Sequence, residues 1–385
     1  MGSCASGFFP HWYAGKLDRT LQLEVEMENG LSSPIQKIST LTEDATKRKK
    51  EEVFGWWGPS PEEARKTMVG KSKGLRDKRT TIKEAVGRYI KDGANIAIGG
   101  FVNTRPPVAI VHEIIRKGAK DLTLSFQSNS ICPELLAGAM LLYPDHLSIR
   151  RAELAWWGYE VIGIAPLFRY LCNNGLIELD DYTNYGMSAR FKAAAMGIEF
   201  LPVRDHGGSD MELVNRGIMV RSPFTGSSSY LVPACYPDVG ILNVTAADMY
   251  GNCRIFGAHC TCPEIAMAAC HTIVTAEQII PNENIRTYPN LTEIPYTAVD
   301  AVIEQRFASY PGACYGFYWF DMEHILMFRS ASEEFRKTGK RDALKKYYDE
   351  FIFGCETHDD FLSKLPYKTL KKIKDLDGGQ PIILS

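Results

Sequence analysis

The stretch Asp92 to Phe101 carries the most specific chemistry in this 385-residue sequence. Ile96 to Ile98 is a short β-type run that ends in Gly99 and Gly100, and Arg105-Pro106-Pro107 and the helical pattern Val108 to Arg116 follow. Strand, glycine loop and helix in that order let a ligand come close to backbone N–H groups. In open α/β sheets the carboxyl edge of the strands is where ligands bind. The loop is not a dinucleotide fingerprint, because no third glycine opens the helix, and not a P-loop, because no Gly-Lys-Ser/Thr follows. Gly99, Gly100, Phe101, Asn103, Thr104 and Arg105 are the candidate contacts. Arg105 is the best donor among them, since a guanidinium pairs with a carboxylate bidentately. It is expected in an open loop, where its loss would damage turnover more than folding.

Three more loops are expected on the same edge: Gln127-Ser128-Asn129-Ser130, His206-Gly207-Gly208-Ser209 and Asp248-Met249-Tyr250-Gly251-Asn252. Ordinary turn chemistry explains any one of them. Together, after successive parallel strands, they would converge on one crevice, with Ser128, Asn129, Gly207, Gly208, Ser209, Tyr250, Gly251 and Asn252 as contacts. Asn184, before the helix that carries Arg190, is either an N-cap or a substrate contact. Glu153 and Glu160 flank Trp156-Trp157, and acids so placed are more often salt-bridged than catalytic. Cys253, His259, Cys260, Cys262, Cys270 and His271 form the densest sulfur and nitrogen cluster. Cys260-Thr261-Cys262 lacks the two-residue gap of a zinc knuckle, so the cluster reads as free buried thiols and no metal site is assigned.

These loops need a scaffold, and from Thr81 onward the pattern alternates strand and helix. Strands are expected at 95–100, 122–127, 146–152, 176–180, 200–203, 240–245, 272–276 and 299–304. Helices are expected at 81–91, 107–117, 133–141, 166–174, 184–196 and 263–269. That alternation argues an α/β fold with an open, mostly parallel, doubly wound sheet over 81–321. A helical segment, 322–385, follows. Residues 1–80 read as an extension: a strand-like run Leu21 to Met27, a charged run Glu43 to Glu52, the pair Trp56-Trp57, Ser60 as an N-cap before Pro61, and a basic surface linker from Lys71 to Arg79. A net charge of −2 announces neither nucleic acid nor an anionic membrane. No apolar run spans a bilayer, Met1 to Lys16 lacks the form of a signal peptide, and ten cysteines show no disulfide framework, so a cytoplasmic setting is expected.

In order along the chain, these segments resemble the α subunit of a family I CoA-transferase of the glutaconate type. The likeness begins at Thr81-Ile82-Lys83-Glu84-Ala85-Val86 and runs through Asp92-Gly93, Gly99-Gly100-Phe101, Ile114-Ile115-Arg116 and Asp121-Leu122-Thr123. It continues in Arg190-Phe191-Lys192-Ala193-Ala194-Ala195, Phe200-Leu201-Pro202-Val203, Tyr250-Gly251-Asn252 and Thr272-Ile273-Val274-Thr275-Ala276-Glu277. Ile294-Pro295-Tyr296, Val299-Asp300-Ala301-Val302 and Pro311-Gly312 complete it. Arg105 stands where many members carry glycine; the glutaconate-type branch also carries a basic residue followed by proline near there, so the departure selects that branch. The resemblance implies the CoA-transferase/ribose-5-phosphate-isomerase type of sheet and CoA transfer between an acyl-CoA thioester and a carboxylic acid. It implies a glutamate nucleophile in a Ser-x-Glu-Asn-Gly-like motif on a separate β subunit, with no catalytic residue in this chain. Glu28-Asn29-Gly30 lacks the preceding βα unit and reads as a β-turn. The CoA thioester enters as substrate, no cofactor is permanently bound, and the assembly implied is a heterotetramer or heterooctamer. Relatives that hydrolyse C–C bonds of cyclic CoA thioesters carry a glutamate in the stretch Asp180 to Tyr185, where this chain has Asn184. That difference disfavours a ring-opening hydrolase, which with a decarboxylase on the same scaffold is the alternative; a non-catalytic structural subunit is a further one.

Overall fold

The computed structural model describes residues 58–377, apart from 161 and 214. The runs Leu21 to Met27 and Glu43 to Glu52, with Glu28-Asn29-Gly30 and Trp56-Trp57, lie outside the described residues. Ser60 caps α1 (Pro61–Gly70) as expected: its hydroxyl accepts the Glu63 N–H at 3.3 Å, and the Glu63 carboxylate accepts the Ser60 N–H at 2.8 Å. The same reciprocal box, Thr81 with Glu84, opens α2 (Ile82–Tyr89). The stretch after α1 is mostly exposed, as the sequence suggested, but Lys71 and Lys78 anchor it. Lys71 pairs with Asp300 at 2.9 Å, and the ammonium of Lys78, 6% exposed, donates to the Tyr296 carbonyl at 2.5 Å. Arg79 forms a parallel bridge with Val302.

Alternation then proceeds as β1 (Asn95–Ile98), α3 (Val108–Lys117), β2 (Ala119–Asn129), α4 (Ile131–Leu142), β3 (Leu147–Tyr159), β4 (Gly163–Ile164), α5 (Pro166–Asn173), β5 (Glu178–Asp181) and α6 (Asn184–Ala195). After β6 (Phe200–Val203), β7 (Ile218–Arg221) and β8 (Ser228–Pro233) come β9 (Val239–Ala247), β10 (Cys253–Arg254), α7 (Cys262–Ala268), β11 (His271–Ile279), α8 (Asn282–Thr287) and β12 (Ala301–Glu304). The large sheet runs β12-β11-β9-β1-β2-β3 in parallel, with β5 also parallel on β3. Short antiparallel strands β4 and β10 attach to β3 and β9. Every residue of β9 is buried, as a central parallel strand requires. Period-2 alternation divides β1: Ile96 and Ile98 face one core with α3 and α4, while Ala97 faces the other with α6 and α7. Helices on both faces make the sheet doubly wound, as the sequence pattern predicts.

One expected strand is misplaced by that reading. Phe200–Val203 does not join the parallel sheet; β6 is an edge of a separate antiparallel sheet, β6-β8-β7. Pro202 has no N–H to give to a ladder, so an edge position suits it and a central one does not.

The C-terminal helices α9 (Met322–Thr338), α10 (Asp342–Tyr348), α11 (His358–Ser363) and α12 (Tyr367–Asp377) close the α3/α4 face. Their seam holds His112, His358 and His324 around the Phe361 ring at centroid distances of 4.9, 5.4 and 5.8 Å. Burial pushes His324 and His358 down to about 4 and His112 well below its ordinary value. Beside this seam Glu134 is fully buried on α4 and accepts the Leu167 and Phe168 N–H groups at 2.7 and 3.2 Å, capping α5. Burial raises its carboxyl to about 8. No helix among the described residues is long and apolar enough to cross a membrane.

Candidate active site

The glycine loop leaves the carboxyl end of β1 as a tight hairpin. Phe101 and Thr104 exchange N–H···O bonds of 2.8 Å in both directions. Gly100 sits at φ 83°, and a Cβ there would lie 2.6 Å from the Arg105 carbonyl oxygen, so only glycine fits. Val102, a β-branched residue at φ 50°, is strained. Its N–H is held by the Ser128 carbonyl at 3.0 Å, and its own carbonyl by the Ser130 hydroxyl at 2.9 Å. Gly99 donates to Ile241 at 3.0 Å, whereas Gly100 donates to the Cys262 sulfur at 3.2 Å, a weak acceptor. The Gly100 N–H is thus the most easily redirected donor in the hairpin.

Arg105 contradicts the expectation of an open, exposed side chain. It is fully buried, at φ 51°, and its guanidinium donates to the carbonyls of Phe256, at 3.1 Å, and Ala258. It pins the loop to the segment after β10. Arg105→Ala should therefore cost about 2–4 kcal/mol, from two orphaned carbonyls and a buried void. Urea unfolding of Arg105→Ala and Arg105→Lys measures this. Wild-type stability with activity lost in both variants would return Arg105 to the role of substrate donor.

β2 ends against the loop. The Asn129 amide donates to the Gly99 carbonyl at 3.1 Å, and the Ser128 hydroxyl donates to the Asn184 carboxamide oxygen at 2.6 Å. Asn184 is not the N-cap of α6: Thr183 is, accepting the Gly186 N–H at 2.8 Å. Asn184 and Tyr185 are instead exposed in the first turn of α6. Glycine loop, β2 terminus and the first turn of α6 are thus adjacent.

The other two loops are placed differently. Gly207, Gly208 and Ser209 follow β6, the edge of the small sheet; beside them Asp205 takes the Thr183 hydroxyl and buried His206 packs on Gly186. Tyr250, Gly251 and Asn252 wrap Asp248, whose Oδ1 accepts their three N–H groups at 3.0, 2.8 and 2.9 Å. That turn packs on Val299 and holds Tyr296, and its hydrogen bonds are used within itself and on β12's approach.

Sequence reasoning missed a buried ion cluster behind the crevice. Arg190 donates to Glu153, Arg216 reaches Glu153 at 3.0 Å and Asp180 at 2.8 Å, and Arg190 lies 3.7 Å from Asp180. Burial acts to raise the Glu153 carboxyl, but Arg190 and Arg216 hold it below its ordinary value. Glu153 is therefore a structural anion, and Glu160 is exposed at the turn before β4. Among the described residues, no three His, Cys, Asp or Glu side chains converge to hold a metal.

This loop-and-edge geometry sits within residues 79–305, which match the family model described as coenzyme A transferase. The chain belongs to the coenzyme A transferase family. It is 29% identical over 316 residues to the A-type polypeptide of glutaconate CoA-transferase from Acidaminococcus fermentans, covering 77% of this chain and 95% of that one. It is 30% identical to the A-type polypeptide of 3-oxoadipate CoA-transferase from Pseudomonas knackmussii, covering 74% and 97%. The solved glutaconate CoA-transferase of A. fermentans superposes with a TM-score of 0.70 over 77% of this chain and 95% of that one. The decarboxylase AibA/AibB, solved as a variant, superposes at 0.59 with 28% identity over 70% and 97%. The family assignment confirms the transferase fold that the sequence resemblance implied.

Proposed function

We propose that this chain is the α subunit of a heteromeric CoA-transferase and that its partner β subunit supplies the nucleophilic glutamate. In that reading the partner's carboxylate attacks the acyl carbonyl of an acyl-CoA, CoA thiolate leaves, and a mixed anhydride forms. The thiolate then attacks the glutamyl carbonyl, releasing the first acid and leaving a glutamyl-CoA thioester. A second carboxylate attacks that thioester and the steps reverse. A carboxylate is a weak nucleophile, so the reaction needs desolvation and fixed donors more than an acid or base from this chain. The observation that carries the reading is the cluster of amides, hydroxyls and backbone N–H groups at the carboxyl ends of β1 and β2, while the nearby acids Glu153 and Asp180 are paired with Arg190 and Arg216.

The chain purified alone should transfer no CoA between acetyl-CoA and any carboxylate, and should do so once combined with its β subunit. Mass spectrometry should then find glutamyl-CoA on the partner and none here. Light scattering should show a heterotetramer or heterooctamer. Transfer by this chain alone, or stable monomers beside the partner, would count against the reading. Likeness to AibA/AibB supports decarboxylation as the second reading, and CO2 release from a carboxyacyl-CoA by the assembled complex would favour it. A complex that turns over no acyl-CoA would leave only a structural role.

Ser128 fixes the Asn184 amide by its oxygen, which leaves its NH2 outside that bond. Asn184→Ala should lower kcat/KM about tenfold, the worth of one hydrogen bond to developing charge, with little change in thermal unfolding. Steady-state kinetics of the assembled complex decides, and an unchanged kcat/KM removes Asn184 from the site.

A further inference from the structure

Gln127 and Asn129 lie two residues apart on one face of β2, and each has its NH2 group tied down. Asn129 donates to the Gly99 carbonyl at 3.1 Å, and Gln127 donates to the Asn184 carbonyl at 3.4 Å. Those bonds fix which end of each amide is oxygen, and both oxygens are buried with no hydrogen-bond partner among the described residues. The Thr261 hydroxyl, 3% exposed, is also without one. It stands beside Cys262, whose sulfur holds the Gly100 N–H. Asn129 is fully buried. These three unpartnered oxygens, in side chains of which Asn129 touches Gly99 and Thr261 precedes the Cys262 that holds Gly100, are costly unless something donates to them, because a buried acceptor left alone loses its full hydration.

We propose that Gln127, Asn129 and Thr261 form an acceptor-lined subsite that takes a hydrogen-bond donor of the acyl-CoA, an amide N–H or a hydroxyl. The proposal rests on the CoA-transferase reading for the identity of the ligand. Its chemistry excludes a carboxylate as the group bound there, since two carboxamide oxygens facing an anion would repel it. The donor comes from one of two sources: the pantetheine arm, whose amides every acyl-CoA shares, or a hydroxyl on the acyl group. A pantetheine source makes the subsite indifferent to the acyl chain. A hydroxyl source makes it a specificity determinant.

The test is calorimetric binding to the complex assembled with its β subunit. Four probes are used: acetyl-CoA, its analogue with the cysteamine-side amide N–H replaced by methylene, butyryl-CoA and 3-hydroxybutyryl-CoA. The wild-type complex should lose roughly tenfold in affinity when the relevant donor is removed, and Asn129→Leu and Gln127→Met should abolish that difference. Loss of the acetyl-CoA versus analogue difference assigns the pantetheine amide. Loss of the hydroxybutyryl versus butyryl difference assigns the hydroxyl. If neither difference depends on these residues, the oxygens serve only ordered water and the proposal falls. Gln127 is half-exposed, so Gln127→Met keeps the test alive should Asn129→Leu fail to fold. Binding needs no turnover: a complex that binds as expected but transfers nothing overturns the transferase reading and leaves the subsite, while a complex that binds no acyl-CoA overturns both.

Discussion

Replacing Glu134 by glutamine should stabilise the chain at pH 8.5 and give no such gain at pH 5. Glu134 is buried where it caps α5, and burial holds its carboxyl at about 8 against an ordinary 4.5. The folded state therefore keeps a proton that the unfolded chain gives up above 4.5. A raised folded pKa contributes stability that is complete below the unfolded value and is lost as pH rises through the folded one. Between pH 5 and 8.5 the wild type should lose on the order of 4 kcal/mol through this group, at 1.36 kcal/mol per unit. Glu134→Gln keeps an oxygen for the Leu167 N–H, gives up the longer bond from the Phe168 N–H at 3.2 Å, and has no proton to lose. Glu277, fully buried and pushed by burial up to about 7 despite the Tyr318 hydroxyl at 2.6 Å, adds loss in the same direction. The buried histidines oppose both. With His324 and His358 held down to about 4, stability falls as pH drops from 6.5 toward 4. The two sets offset each other between 4.5 and 6.5, so the wild-type stability curve should be nearly flat there and fall on both sides. Urea unfolding across pH decides, and parallel curves for wild type and Glu134→Gln would sink the argument.

Glu153→Gln should be the most damaging single change among the buried charges, at about 3–5 kcal/mol, because it leaves Arg190 and Arg216 sharing Asp180 alone. All four side chains are at most 4% exposed, so water cannot compensate. Arg190 is also held by the Pro233 carbonyl at 2.9 Å and lies over the Tyr182 ring at 4.3 Å, so the cluster joins β3, β5 and α6 to the small sheet. Removing one charge of each sign should cost less than the sum of the two single changes. Equilibrium unfolding of Glu153→Gln, Arg190→Gln and the double variant closes the cycle. Additive losses, or a Glu153→Gln loss below about 1 kcal/mol, would show that the charges do not act as a unit.

The glycine loop was legible because its signal is local: a β-branched run, two glycines and a proline-opened helix lie within a dozen residues. The doubly wound sheet was legible for the same reason repeated. Arg105 was misread because charge is a statement about average surfaces, and nothing near it in sequence reveals that the Phe256 and Ala258 carbonyls will meet it. Pro202 did hold a usable warning that its strand lies at an edge. The hairpin β7–β8 was missed because Ile218–Arg221 and Ser228–Pro233 flank a serine-rich stretch with little apolar alternation. The ion cluster and the Gln127, Asn129 and Thr261 oxygens were invisible for one shared reason. Their surroundings are set by the crossing of elements far apart in the chain.

The fastening of the glycine loop also dictates when it can form. Its Gly100 N–H is held from 162 positions downstream, and its arginine from 151 and 153 positions downstream. A ribosome must therefore have released Phe256, Ala258 and Cys262 before the loop has its full set of fastenings; until then only its own hairpin bonds and Ser128, Asn129 and Ser130 can hold it. Contacts of such long sequence separation form late and slowly, after local helices have appeared. During synthesis the nascent chain thus carries this sheet edge only partly fastened. A truncated product ending before Cys262 would hold β1 and β2 without a fixed crevice, and the finished edge appears only when the parallel sheet has recruited β9.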